Sequence, residues 1–276
     1  MSRTMIQAAV TMNQLQNKLD VIGNNLANSQ TTGYKNRQAN FSSLLFQQMN
    51  NLTDPRNAEG RLTPDGIRIG SGAKLGSINS NMQLGALRNT DRALDTALLD
   101  ANHLYQVQVI ENGVTETRYT RDGSFYLSPV NNNQQVMLTN SDGNPVLGIN
   151  GPIVIDEGFD DITLLPNGEI RVTRGATTEI AGRIAVVEAV RPHLLEATGE
   201  NLFRLPNLVE LGFNIAEIIQ PVGENEQILK SGTLEASNVD MSQEMSELIM
   251  TQRAYQFNAR TISMSDQMLG LINQLR

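Results

Sequence analysis

Apolar residues recur at alternating steps of three and four at the two ends of the chain and not in its middle. Met5, Ala8, Met12, Leu15, Leu19, Ile22 and Leu26 do so without a polar interruption. Met241, Met245, Leu248, Tyr255, Ala259, Ile262 and Leu269 do so again, with Gln252 and Asp266 set into the row. Such spacing keeps one stripe of a helix against one partner for many turns. A strict seven-residue repeat favours a left-handed coiled coil over a straight surface helix. Asp240 reads as the N-cap of the second helix, with Gln243 and Glu244 in its first turn. At ~1.5 Å per residue that helix reaches roughly 50 Å, longer than an ordinary compact domain can cover. A helix lying on a globular core would show a similar stripe. One stripe at each chain end favours a terminal helix pair.

Between the ends the period changes from helical to alternating. Tyr105, Val107 and Val109 alternate with Gln106 and Gln108, so one face is buried and the other wet. Asn112-Gly113, Asp122-Gly123, Asp142-Gly143 and Asn167-Gly168 punctuate short runs as tight-turn signals. Ile184 to Val190 reads as a nearly continuous buried strand. An antiparallel sandwich or irregular barrel is predicted here. Before it, residues 41–90 are polar and loose, with glycines at 60, 66, 70, 72, 76 and 85, and predict an extended linker with short strands. The fold class is therefore α+β: long terminal helices forming a coiled-coil-like core domain, and a central antiparallel all-β domain. The expected divisions are 1–35 (first helix and turn), 36–90 (linker), 91–222 (β-domain), 223–239 (return linker) and 240–276 (last helix). The fragment Asn89–Val222 is expected to fold alone.

Composition narrows the chemistry. The 276 residues suffice for two domains, and apolar content is 39% but aromatic content only 4%, so cores must be aliphatic. Net charge is −8, which argues against a nucleic-acid-binding surface. The absence of Cys excludes disulfides, thiol nucleophiles and Cys-ligated metals. No run approaches the ~20 apolar residues of a membrane span, and the first residues do not read as a secretory signal. Taken at face value this means cytoplasm, although export without a cleaved signal would look identical.

No catalytic constellation emerges. His103 and His193 are the two histidines, and no sequence signal assembles a triad around either. A lone histidine on a β-surface is ordinarily solvated or hydrogen-bonded. Asp156, Glu157, Asp160 and Asp161 lack the alternation and glycine of a calcium loop and read as a solvated turn. Residues 70–76 have glycines at 70, 72 and 76 but not the Gly-Lys-Ser/Thr ending of a phosphate loop. Asn51-Leu52-Thr53 matches a glycosylation sequon, a pattern short enough to arise by chance. No catalytic residue, cofactor, metal or small-molecule substrate is expected.

The first helix is predicted to stop near Leu26. Asn24, Asn25 and Asn28 can cap its carbonyls or tolerate a left-handed backbone, and Gly33 can supply a positive φ. Here the chain resembles a known family. Asp20-Val21-Ile22-Gly23-Asn24-Asn25-Leu26-Ala27-Asn28, followed by Thr32-Gly33-Tyr34-Lys35, is similar to the N-terminal signature of bacterial flagellar rod and hook proteins. The far end agrees: Gly232 to Asp240 (GTLEASNVD), then Glu244-Met245 and Gln252-Arg253-Ala254-Tyr255-Gln256. Tyr119 to Phe125 (YTRDGSF), Leu165-Pro166-Asn167-Gly168 and Gly199 to Phe203 (GENLF) also resemble it. The resemblance spans nearly the whole chain and is nearest to the distal-rod type. One segment departs from the family pattern: Asp100-Ala101-Asn102-His103-Leu104-Tyr105 stands where a Gly-rich segment ending in paired aromatics is usual.

The resemblance implies a structural axial subunit of the flagellar basal body and not an enzyme. It implies polymerisation through the terminal helices into a hollow, torque-transmitting shaft. Partners would be copies of itself, other rod or hook subunits, and the flagellar export apparatus, which would pass the chain without cleavage. An assembly seam is expected from Met12, Leu15, Leu19, Ile22, Leu26, Met245, Leu248, Tyr255, Ile262 and Leu269. The signature turn comprises Asn24, Asn25, Asn28, Gly33 and Tyr34, and the C-terminal signature Ser237, Asn238, Val239, Asp240, Gln252, Arg253, Ala254 and Tyr255. Arg253 and Arg260 are expected to pair with Glu244, Glu247 or Asp266. A hook or proximal-rod subunit shares these signatures. A soluble dimeric β-domain binding module and a hydrolase using Asp/Glu pairs are alternatives from other classes.

Overall fold

The computed structural model describes residues 2–43, 46–49, 67–70, 73–111, 113–131, 133–199, 201–208, 212–223 and 227–274. The sequon Asn51–Thr53, the glycines at 60, 66 and 72, Asn112 and Glu200 lie outside the described residues. The chain divides into two units: Met1–Leu26 with Arg37–Asn79 and Met241–Arg276, and Ala27–Asn36 with Ser80–Asp240.

In the first unit the N-terminal stripe forms helix α1, Ser2–Ala27, and the C-terminal stripe forms α2, Met241–Gln274. Asp240 stands immediately before α2, at the position expected of its cap. Between them run β1 (Arg37–Ser43), β2 (Phe46–Met49), β3 (Ile67–Gly70) and β4 (Ala73–Ser80), paired β1 with β4 and β2 with β3. Lys18 on α1 pairs with Glu247 on α2, and Asn25 with Glu244. Contacts that advance along α1 therefore retreat along α2: the two helices run antiparallel.

The second unit is antiparallel and β-rich. It opens with β5 (Leu87–Asn89), β6 (Thr96–Leu98), β7 (His103–Glu111) and β8 (Val114–Thr120). Then come β9 (Tyr126–Val130), β10 (Gln135–Thr139), β11 (Leu147–Gly148), β12 (Gly151–Pro152) and β13 (Val154–Asp156). A second stretch holds β14 (Asp161–Leu164), β15 (Glu169–Arg174), β16 (Thr177–Arg183) and β17 (Val186–Ala189). The last are β18 (Glu196–Gly199), β19 (Leu202–Arg204), β20 (Ile219–Pro221), β21 (Leu229–Ser231) and β22 (Thr233–Glu235). The largest sheet has six strands in the order β18-β19-β8-β7-β17-β20, and two further sheets have three strands each, β13-β10-β9 and β14-β15-β16. β21 returns to pair with β6, and β22 with β5, so the last strands close on the first.

Alternation decides the core. Tyr105 and Val107 of β7 are fully buried in the larger cluster, with Phe125, Leu138, Ile170 and Leu229. Leu104, on the other face of the same strand, joins Tyr119, Phe203 and Ile218 in a second cluster. A strand with apolar residues on both faces thus carries two cores. The run Ile184–Val190 is shorter than its composition suggests: β17 spans Val186–Ala189, Glu188 points outward and Val190 is 46% exposed. The departing segment Asp100–Tyr105 keeps its strand, which begins at His103. His103 itself is buried, its Nδ1 3.8 Å from an Asp100 oxygen, whereas His193 is exposed on a single turn.

Gly113, Gly143 and Gly168 take φ of 80°, 82° and 86°, as their turns require. Gly123 serves a different purpose. It is not a hairpin residue, and a Cβ there would lie 1.9 Å from the Thr96 carbonyl oxygen. Its own carbonyl accepts the Thr96 amide at 2.9 Å, so only glycine lets the two backbones meet.

Candidate functional site

The chain leaves α1 through a turn made by one side chain. Asn25 is buried, donates from Nδ2 to the Arg37 carbonyl at 2.8 Å, and accepts the Arg37 amide on Oδ1 at 2.9 Å. It stands in for a strand neighbour at the start of β1. The same Nδ2 lies 3.1 Å from Glu244 Oε1 on α2. Glu244 and Glu247, expected as partners of Arg253 and Arg260, instead engage Asn25 and Lys18. The Lys18–Glu247 pair is partly exposed and contributes about 0–1 kcal/mol.

Residues 27–36 belong to the β-rich unit. Thr31 closes the turn on Asn28, its amide to the carbonyl at 3.1 Å and its hydroxyl to the side-chain oxygen at 3.2 Å. Gly33 follows with φ +67°, and its amide donates to the Glu235 carbonyl at 2.8 Å. A Cβ on Gly33 would meet the backbone between Arg121 and Asp122 at 2.7 Å. Gly33→Ala is therefore expected to cost the β-rich unit about 2–5 kcal/mol, from left-handed strain and overlap with backbone that cannot yield. Urea unfolding checks this, and a loss under about 1 kcal/mol would refute the close approach.

Beyond Gly33 lies a buried ionic clasp. Glu235, at the end of β22, accepts Lys35 Nζ on Oε1 at 2.7 Å and Arg121 Nε on Oε2 at 2.6 Å. All three side chains are 0–1% exposed. Backbone groups complete the site: Lys35 donates to the Gln83 carbonyl at 2.6 Å, and the Gly85 amide to Glu235 Oε1 at 2.8 Å. Arg121 donates to the carbonyls of His103, Ala101 (3.1 Å) and Leu98 (3.4 Å). Burial by itself pushes the Glu235 carboxyl upward, but Arg121 and Lys35 outweigh it and hold it below its ordinary 4.5. Burial, and then Arg121, lower the Lys35 ammonium from its ordinary 10.5.

Asn238 makes a second, neutral tie. Its Oδ1 accepts the Asn36 amide at 2.7 Å, and its Nδ2 donates to the carbonyls of Asn81 and Gln83 at 2.8 and 3.0 Å. Lys35 and Asn36 follow the signature turn, while Glu235 and Asn238 precede α2. The clasp thus joins the incoming and outgoing chain.

The structure brings together Gly33, Tyr34 and Asn238 of the expected site, with Tyr34 buried and its carbonyl 3.4 Å from the Asn238 amide. Asn24 is exposed. Ser237 and Val239 are half-buried, with Val239 N 3.4 Å from Ser237 Oγ. On the helices Ile22 is buried, and Met12, Leu15, Leu19, Leu26, Leu248, Ala254, Tyr255, Ile262 and Leu269 are half-buried. Met245 is 45% exposed, and Gln252 and Arg253 are exposed. Among the described side chains of α2 the buried ones are Glu244, Thr251 and Ser265. Lys35, Arg121 and Glu235 were missed as site residues. The available signal was that each of the three signature segments holds a charged residue within three positions of a glycine: Lys35 after Gly33, Arg121 before Gly123 and Glu235 after Gly232. The acidic group 156–161 remains a surface turn, Asp156 accepting from Gln135 and Asp160 from the Gly175 amide.

Three family models match the chain. "Flagella basal body rod protein" covers residues 7–35, "Flagellar hook protein FlgE/F/G D1 domain" 101–172, and "Flagellar basal body rod FlgEFG protein C-terminal" 230–275. Lys35, Arg121 and Glu235 fall one in each. Among curated relatives, the flagellar hook-basal body complex protein FlhP of Bacillus subtilis (strain 168) is 40% identical, covering 100% of both chains. The flagellar basal-body rod protein FlgG of Caulobacter vibrioides is 32% identical over 98% of this chain and 97% of its own. That of Borreliella burgdorferi is 33% identical over 100% and 99%.

Proposed function

This chain belongs to the flagellar basal-body rod family, and from that premise we propose that it is a distal-rod-type subunit polymerising through its terminal helices. It is a structural, non-enzymatic rod subunit of the flagellum. No helix among the described residues is long and apolar enough to cross a membrane. Copies stack helically into a hollow shaft that transmits torque, a heterologous contact that propagates instead of closing. Other rod or hook subunits continue the shaft. The chain passes through the flagellar export apparatus uncleaved, since a helix pair held by a narrow stripe is marginal alone and orders on assembly.

One observation carries the polymer reading. α2 has a second apolar stripe, which its contact with α1 leaves open. Met250, Phe257, Met264 and Leu271 recur every seventh residue and are 57–70% exposed, with Met268 at 50% between them. Such a stripe is the footprint of another helix. α1 exposes Asn13, Gln16 and Asp20 outward, with Ile6 the one large apolar residue exposed among its described side chains, so the longer stripe of α2 is the natural subunit contact.

Phe257→Glu tests it. A carboxylate on an exposed face changes monomer stability by at most about 0.5 kcal/mol. Buried between subunits it would cost several kcal/mol. The variant is expected to keep its helix content and β-unit melt and yet to fail to enter rods. Leu19→Glu, on the half-buried face of α1, should likewise keep its β-unit melt and fail to enter rods, there through loss of the α1–α2 pairing that forms on assembly. Incorporation of Phe257→Glu at the parental level would remove the stripe as a subunit contact.

A further inference from the structure

We propose that the tip of the β7–β8 hairpin of one copy seats in the groove beside β16 of another copy. The proposal rests on the axial-subunit reading. It starts from two features of the β-rich unit that a single chain leaves without use.

The first is a wedge. Near the tip Ile110 is 70% exposed and Val114 59%. Ile110 stands opposite Thr115, and Val114 opposite Glu111. Directly opposed residues share a face of the sheet, so the tip carries one apolar side chain on each of its two faces. An exposed apolar pair at a solvated hairpin end contributes nothing to its own core.

The second is a slot. β16 is the outer strand of its sheet, and residues 177–181 are all exposed. An open edge of this kind is ordinarily covered or blunted. It ends beside a cleft of about 440 Å³ walled by Gly148–Val154 on one side and Ala181–Arg183 on the other. Ile149 and Val154 in its wall stand 58% and 39% exposed, and Ile180, just before it on β16, 63%. A second cleft of about 470 Å³ continues past Ile149 along Ala185 and Val186.

Charge selects the occupant. Among the described residues Arg183 is the one ionisable residue lining either cleft, held by Nε on the Asn167 carbonyl at 2.9 Å and by Nη2 on that of Gly223 at 3.1 Å. The wedge carries the opposite net sign: Arg118 of β8 pairs with both Glu111 at the tip and Glu116 behind it, and one guanidinium against two carboxylates leaves the hairpin end negative. A two-faced apolar wedge of net negative charge matches a two-walled slot in which Ile149, Ile153 and Val154 stand beside polar backbone and a guanidinium. Within one chain the tip passes its own slot: Val107 is the residue bridged to Val146, and Ile110 lies roughly 10 Å further along β7. Wedge and slot are different surfaces, so their contact is heterologous and propagates along a polymer. Its area is far below the ~1,000 Å² of a stable solution dimer. Between subunits already tethered through their helices, effective concentration makes so small a contact sufficient.

The chain has no cysteine, which makes the test clean. Full-length Val114→Cys and Ile149→Cys are co-expressed in a host lacking its own copy, and isolated basal bodies are oxidised. A cross-linked dimer that requires both variants is expected. Assembled rods without that dimer, or Cys at 114 joined to a different protein, would overturn the contact while leaving the axial-subunit reading intact. A parental chain that enters no rod would sink both. Independently, Val114→Asp should melt like the parent and incorporate about tenfold less in competition with it. Equal incorporation would also overturn the proposal.

Discussion

Glu235→Gln is expected to destabilise the β-rich unit by about 3–5 kcal/mol, because it leaves two buried cations sharing a neutral amide. For a unit of this size each kcal/mol lowers the melting temperature by about 2–4 °C, so a fall of roughly 6–20 °C follows. Lys35 and Arg121 cannot escape to solvent, being 0–1% exposed, and their other partners are carbonyls that neutralise no charge. Replacing all three residues by apolar ones would not restore the parent. Arg121 also satisfies the carbonyls of Leu98, Ala101 and His103, which would be orphaned. The pH dependence has a defined sign. The Glu235 carboxyl titrates lower in the folded chain than its ordinary 4.5. Its contribution is therefore complete above that value and is lost as pH falls through the lower folded one. Parent and variant should converge in stability on acidification below about pH 4.5. Thermal melts at pH 7 and across the acid range check both parts. A melting temperature within a degree or two of the parent at pH 7 would mean that the clasp is dispensable.

The second large effect concerns where the β-rich unit ends. Residues 80–240 are expected to fold cooperatively, and residues 89–222 are not. The shorter fragment lacks β21 and β22, and with them Ile228 and Leu229, buried to 2% and 1% in the larger core. Loss of such side chains costs about 2–5 kcal/mol each. It also lacks Glu235, which leaves Arg121 buried without a counter-charge, for about 3–5 kcal/mol more. Together these approach or exceed the 5–15 kcal/mol by which a whole domain is ordinarily stable. The longer fragment loses Lys35 but keeps the Arg121–Glu235 pair. Circular dichroism melts and amide dispersion of the two fragments decide the matter. Equal, cooperative melts would show that the return strands are an appendage and not part of the folding unit.

Local repeats were legible without any structure. The terminal stripes gave two helices, because a period of 3.6 is written into consecutive residues. The paired turn residues at 113, 143 and 168 gave turns, because a positive φ is a demand on a single glycine. The alternation around Tyr105 gave an antiparallel strand, and the order of signature segments gave the family. The helices, turns and strand each follow from a period or a turn residue repeated between near neighbours, and the family from the order of short segments along the chain.

What the tertiary structure decided are the facts that join distant positions. Periodicity announces an apolar stripe but not its partner. Hence it could not tell that Glu244, Thr251 and Ser265 are buried on α2 while Met245, Phe257 and Met264 face outward. Asp122-Gly123 looked like the other turns, yet its glycine exists to admit the carbonyl of Thr96. Lys35 and Arg121, read from sequence, are ordinary surface cations, since a charge is buried only where its counter-charge arrives. Glu235 arrives from 200 positions beyond Lys35 and 114 beyond Arg121. Pairing over such separations is set by how the sheets close, and no local pattern encodes it.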